Sequence, residues 1–168
     1  MNIRIKNGRL IDPANGIDRK ADVFVAQGRI AGVGESPAGF TATRTLDAAG
    51  CIVCPGLVDL SARLREPGFE YRATLESEMA AAAAGGVTSL AGPPDTDPPL
   101  DEPGLVEMLK HRARLPEFAK VYPIGALTEK LEGKRLTEMA ELAEAGRVAF
   151  GQATVPVVDT QVLQRAMQ

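Results

Sequence analysis

A run of alternating polar residues, Asp59-Leu60-Ser61-Ala62-Arg63-Leu64-Arg65-Glu66, holds most of the chemistry-bearing side chains in this sequence. If residues 57 to 62 form a strand, alternation places Asp59, Ser61 and Arg63 on one face. They do not make a nucleophile, because no Ser-His or Cys-His pairing is at hand. Asp59 is expected to accept hydrogen bonds from neighbouring backbone or from Arg63. Arg65 and Glu66 read as an ion pair at a loop start, with a carboxylate-binding Arg65 as the alternative. Cys51 and Cys54 stand in C-x-x-C spacing, which suits zinc or redox chemistry. A structural zinc wants four ligands, however, and the single histidine, His111, lies between Lys110 and Arg112. A strand through Cys51-Ile52-Val53-Cys54 would also send the sulfurs to opposite faces. Buried, inert thiols are therefore expected, and His111 reads as a solvated cation near a helix end. Asp95 and Asp97, crowded by Pro93, Pro94, Pro98 and Pro99, fit a rigid turn better than a calcium site. Gly32-x-Gly34 and Gly85-Gly86 are turn and helix-end glycines without phosphate-loop context.

The elements that position these residues fall into two stretches. Residues 1–54 are β-rich. Ile3 and Ile5 alternate with polar residues, Asn7-Gly8 predicts a hairpin turn, and Arg9-Leu10-Ile11 returns. Asp22 to Ala26 and Arg29 to Val33 flank Gln27-Gly28, and 43–53 supplies one or two more strands. Residues 55–168 alternate strands with helices, the pattern of βαβ units on a parallel sheet. Strands are predicted at 57–62, 87–91, 120–124 and 147–150. Helices are predicted from a Thr74 cap through Ala84, from an Asp101 cap, over Glu138 to Ala145 after Thr137, and from Asp159 or Thr160 onward. A (β/α)₈ barrel needs about 250 residues and eight strands. Four strands leave raw edges, so the chain reads as the front of something longer or a sheet that borrows a partner, and the uncapped Ala166-Met167-Gln168 end favours truncation. The 45% hydrophobic content permits a core, filled by Val, Leu, Ile and Ala because Trp is absent. Nineteen basic residues spread among 22 acidic ones offer no field for nucleic acid or anionic lipid. No apolar run is long enough to span a membrane and no secretory leader is visible, so a cytoplasmic protein is expected.

The segment Pro55-Gly56-Leu57-Val58-Asp59-Leu60-Ser61-Ala62-Arg63-Leu64-Arg65-Glu66-Pro67-Gly68 resembles the dihydroorotases of the amidohydrolase superfamily, whose pattern is P-G-L-V-D-x-H-x-H-L-R-E-P-G. Four further stretches extend the resemblance along the chain. They are Thr74-Leu75-Glu76-Ser77 through Thr88, Gly92-Pro93-Pro94-Asp95-Thr96-Asp97-Pro98, Leu136-Thr137-Glu138-Met139-Ala140-Glu141-Leu142, and Gly146 to Phe150. The resemblance implies an α/β fold, a (β/α)₈ TIM barrel of amidohydrolase type of which only the first half is present, preceded by a small composite β-domain. It also implies which positions matter. The family's two zinc-binding histidines fall on Ser61 and Arg63, and its substrate-gripping arginine falls on Arg65. A substrate-holding asparagine falls on Asp95, which would set carboxylate against carboxylate at a cost of about 1 kcal/mol in water near 4 Å. A further metal ligand, in the family's S-D-D-G turn, falls in Gly151-Gln152-Ala153-Thr154, at Gln152.

Zinc accepts imidazole, thiolate and carboxylate. Ser61 is a poor neutral ligand, and Arg63 is a permanent cation with no lone pair to give. The metal lowers the pKa of bound water from about 15.7 to about 7, so its loss removes ~8 orders of magnitude of ionised nucleophile. The resemblance therefore implies a pseudoenzyme with no catalytic residue and no cofactor, its zinc site lost. It implies vestigial metal positions at Ser61, Arg63 and Gln152, and vestigial substrate positions at Arg65 and Asp95. The implied partner is the aspartate transcarbamoylase catalytic chain, as a hetero-dodecamer of six plus six in pyrimidine biosynthesis. Two alternatives stay open: an active cyclic-amide hydrolase whose displaced metal site uses Asp59 and histidines beyond residue 168, and a free-standing binding module.

Overall fold

The computed structural model describes residues 1–168. The chain forms two compact units, Met1–Pro55 and Gly56–Gln168. The first is built of short strands in two sheets, with order β5-β4-β1-β6 and β3-β2-β7. These are β1 (Asn2–Lys6), β2 (Arg9–Asp12), β3 (Ile17–Lys20), β4 (Val23–Ala26), β5 (Arg29–Val33), β6 (Arg44–Asp47) and β7 (Ile52–Val53). The Gln27-Gly28 hairpin is present: both residues have positive φ, and β4 and β5 pair antiparallel. Asn7-Gly8 turns the chain but makes no hairpin. β1 pairs with β4 and β6, whereas β2 pairs with β3 and β7. Asn7 is held by long-range partners instead, its amide nitrogen Nδ2 donating to Asp47 at 2.9 Å. Buried Phe24 packs edge-on against Phe40 at 5.2 Å between ring centroids. Both cysteines are exposed, contrary to the expectation of buried thiols, because β7 is only two residues long and neither cysteine lies within it.

The second unit is a four-stranded parallel sheet of order β11-β10-β9-β8. Its strands are β8 (Leu57–Asp59), β9 (Val87–Gly92), β10 (Lys120–Ala126) and β11 (Ala149–Gly151), alternating with α1 (Leu75–Ala84), α2 (Pro103–Arg114) and α3 (Met139–Glu144), and α4 (Thr160–Ala166) follows. This is the βα alternation expected from the sequence, in the form of a partial barrel sheet. Small side chains set the strand spacing. A Cβ on Gly56 would lie 2.0 Å from the Thr88 hydroxyl, so only glycine lets β8 approach β9 there. α1, α2 and α3 cover one face of the sheet with an apolar layer in which Met79, Leu100, Val106 and Leu142 are fully buried.

Helix starts differ in detail from expectation. Thr74 does cap α1, accepting from Ser77 N–H in a reciprocal capping box, and Asp159 caps α4. Asp101 caps no helix. α2 begins with Pro103 after Glu102, and the Asp101 carboxylate accepts from Lys130 N–H at 2.7 Å. Thr137 likewise turns inward, its hydroxyl donating to the Ala126 carbonyl at 2.8 Å, so α3 starts without a side-chain cap. No helix is long and apolar enough to cross a membrane.

Candidate functional site: the C-terminal ends of the parallel strands

In a parallel α/β sheet, loops leaving the C-terminal strand ends gather functional side chains. Here β8 ends at Asp59, so Ser61 and Arg63 lie beyond it in irregular backbone. The single strand face expected for Asp59, Ser61 and Arg63 therefore does not form. Asp59 Oδ1 accepts from Ser61 N–H at 2.8 Å, a local turn that ends the strand. Of the two partners expected for Asp59, the backbone is the one observed.

Arg63 pairs across the loops. Its Nε donates to Asp95 Oδ2 at 2.7 Å, joining the segment after β8 to the segment after β9. The two side chains are 37% and 27% exposed, so the pair is partly shielded from water. Asp95 thus faces a cation from its own chain. Backbone bonds reinforce the junction: Ala62 N–H donates to the Ala91 carbonyl at 2.9 Å and Asp97 N–H to the Pro67 carbonyl at 3.1 Å. Gly68, with φ of +95°, sits so close that an added Cβ would lie 2.2 Å from the Asp97 carbonyl oxygen.

Arg65 and Glu66 do not pair with each other. Arg65 adopts positive φ and belongs to none of the ion pairs. Glu66 turns inward, 6% exposed, and its Oε1 accepts from Leu75 N–H at the first turn of α1 at 2.7 Å. The other oxygen, Oε2, is fully buried. Arg112 from the last turn of α2 stands 2.5 Å away from it, in contact but outside hydrogen-bond alignment. The backbone reversal at Arg65 explains the separation, because it sends successive side chains in unrelated directions. Burial of a carboxylate requires such company.

Gln152 follows β11 and is occupied as well. Its Nε2 donates to the Thr128 hydroxyl at 2.7 Å, and its amide oxygen stands 3.0 Å from the same hydroxyl. Thr128, fully buried, also accepts from Gly133 N–H at 2.9 Å. Thr128 and Arg112 are organising residues that sequence reasoning missed. Thr128 is one threonine among several, and Arg112 lies 46 positions from its partner Glu66 with no motif linking them.

The structure thus joins Arg63 to Asp95 and Gln152 to Thr128, and leaves Ser61 tied through its backbone and Arg65 unpaired. A zinc ion, which the resemblance implies for active members, does not fit this donor set. Ser61 is a neutral hydroxyl, Arg63 an engaged cation and Gln152 an engaged amide, and nowhere do three or more His, Cys, Asp or Glu side chains converge. His111 lies exposed in the last turn of α2, away from these loops in sequence and element.

The family model described as dihydro-orotase-like matches residues 50–168. The chain is 47% identical over all 168 residues to a "Dihydroorotase-like protein" of Pseudomonas aeruginosa, spanning 40% of that relative, and 44% identical to a "Dihydroorotase" of Syntrophotalea carbinolica, spanning 39% of it. Among solved structures, the L-hydantoinase (dihydropyrimidinase) of Arthrobacter aurescens matches with a TM-score of 0.77 and 26% identity, over 99% of this chain and 37% of that one. The chain therefore spans about 40% of the length of the curated relatives it matches. The solved neighbours are amidohydrolase-type barrels, in keeping with the partial barrel sheet of the second unit. With the strand-end motifs in place and the family model running to the final residue, the chain belongs to the dihydro-orotase-like family of the amidohydrolase superfamily.

Proposed function

We propose that this chain belongs to a non-catalytic dihydroorotase-like subunit that supports the assembly and activity of aspartate transcarbamoylase in pyrimidine biosynthesis. The observation that carries the reading is the Arg63–Asp95 pair. A guanidinium bonded to a carboxylate stands at a position where active members present a zinc-binding imidazole, and it repels a divalent cation rather than holding one. Gln152, bonded to Thr128, adds a second position without an anionic or imidazole donor. With no activated water, no residue at the strand ends serves as nucleophile or general base. The partner and the six-plus-six arrangement come from the family resemblance, in which inactive members serve as scaffolds for the transcarbamoylase. The names of the Pseudomonas relatives, dihydroorotase-like rather than dihydroorotase, are in keeping with that reading.

The test uses the full-length protein carrying this chain. Mixed with the transcarbamoylase catalytic chain on a sizing column, it should co-elute as one large assembly and raise transcarbamoylase activity, while dihydroorotate turnover stays at background. Separate elution with unchanged transcarbamoylase activity contradicts the scaffold role, and metal-dependent dihydroorotate turnover contradicts the loss of catalysis. A second reading, an active cyclic-amide hydrolase with a displaced metal site, is favoured by relatives named dihydroorotase that align over the whole chain. Abolition of turnover by EDTA would select it.

A further inference from the structure

At the N-terminal ends of β9 and β10, opposite the loops described above, the second unit has a cavity of about 730 Å³. The last turn of α2, the 115–119 connection and the first residues of β10 form its walls. Much of that wall is apolar, from Ala113, Phe118, Val121, Tyr122 and Val148. The ionic groups are one-sided: Lys110, Arg114 and Lys120 face the cavity, against Glu117 alone. Lys110 is already engaged, its Nζ donating to the Ala145 carbonyl at 2.9 Å. Arg114 and Lys120 enter no ion pair.

Arg114 alone could be accounted for as a cation complementing the C-terminal dipole of α2. That does not account for Lys120, which starts a strand, or for the aromatic rings beside it. Two cations that enter no ion pair, set against an apolar wall and outnumbering Glu117, create a positive potential that a concave surface concentrates. The volume lies within the roughly 300–1,000 Å³ typical of small-molecule sites, and a mostly apolar lining with a few polar groups is their usual composition. Phe118 and Tyr122 are 47% and 38% exposed, available to a flat ligand.

We propose that this cavity binds a small organic anion, its flat apolar body against Phe118 and Tyr122 and its anionic group met by Arg114 and Lys120. The site uses none of Ser61, Arg63, Arg65, Asp95 or Gln152, so it stands or falls independently of the proposed scaffold function.

The probe is naphthalene-2-sulfonate, titrated calorimetrically into the whole chain, with neutral naphthalene-2-sulfonamide as its uncharged counterpart. The expected result is saturable one-to-one binding, about tenfold or more weaker for the sulfonamide and for the double variant R114E/K120E. If that variant shows no cooperative melting, R114Q and K120Q serve in its place, each weakening the sulfonate severalfold without weakening the sulfonamide. Absence of saturable binding, equal affinity for sulfonate and sulfonamide, or affinity untouched by these variants overturns the proposal. Binding lost in R65A but retained in R114E/K120E also overturns it, by moving the anion to the other end of the strands.

Discussion

The two sides of the second unit are held by different forces. Behind the parallel strands, Leu75, Met79, Leu90, Leu100, Val106 and Leu142 form an apolar layer that excludes water without direction or charge. The loops that leave the strands are tied instead by pairs that each need one particular partner: Arg63 with Asp95, Glu66 with Arg112 and Leu75 N–H, Gln152 with Thr128. The layer tolerates exchange among residues of similar volume, whereas such a pair fails when either member changes. Stability and chemical identity therefore reside in different residues of the same βα units.

Substitutions can break that contrast, and the largest effect belongs to the layer. Leu142→Ala should cost about 2–5 kcal/mol through lost burial and the cavity left behind, read from urea unfolding of the whole chain. A loss much below that range would show that the layer is loosely packed and the contrast false. Arg112→Ala comes next. It leaves the buried Glu66 carboxylate with Leu75 N–H alone and should cost about 1–3 kcal/mol. Glu66→Gln in the Arg112→Ala background should recover part of the loss, because a neutral amide tolerates burial better than a charge.

Smaller effects sharpen the comparison. Thr128→Val should cost about 1 kcal/mol by stranding Gln152 and Gly133 N–H. Adding Gln152→Leu should then cost little more, since the two residues act as a unit. For Arg63 and Asp95, a double-mutant cycle to alanine should give a coupling of about 0.2–1 kcal/mol, as expected for a pair still in touch with solvent. Zero coupling would make the pair incidental. In the first unit, hydrogen bonding to Arg9 holds the Asp18 carboxyl below its usual range, and Asn7 with Ala49 N–H does the same for Asp47. Both folded values are depressed, so the stability they contribute is present above the ordinary carboxylate pKa and lost as pH falls through the lower folded value. Asp18→Asn should slightly flatten the acid limb of a stability profile.

Much of this was legible in the sequence. The alternation of strands and helices after residue 55, the Thr74 cap and the Gln27-Gly28 hairpin all follow from local patterns that tertiary packing did not override. Asn7-Gly8 misled because turn chemistry states that the chain reverses, not which strand lies alongside, and sheet pairing chose β4 and β6 for β1. Asp101 and Thr137 misled for a related reason. Each is a good helix cap by type, but a loop amide and a strand carbonyl reached it first. At the strand ends, the motif located Ser61, Arg63, Arg65, Asp95 and Gln152, but not their partners. For Arg63 the sequence offered Asp59 as a partner, and the path of the loops selects Asp95 instead. Glu66 beside Arg65 looked like a pair until the positive φ at Arg65 turned them apart.

The most direct measurement is the zinc content of the full-length protein, purified without chelator and dialysed against trace zinc, by elemental analysis. A protein that has lost the metal centre should hold far less than one zinc per chain, unchanged in Arg63→Ala. One or more tightly held zinc ions per wild-type chain would overturn the proposed loss of that site.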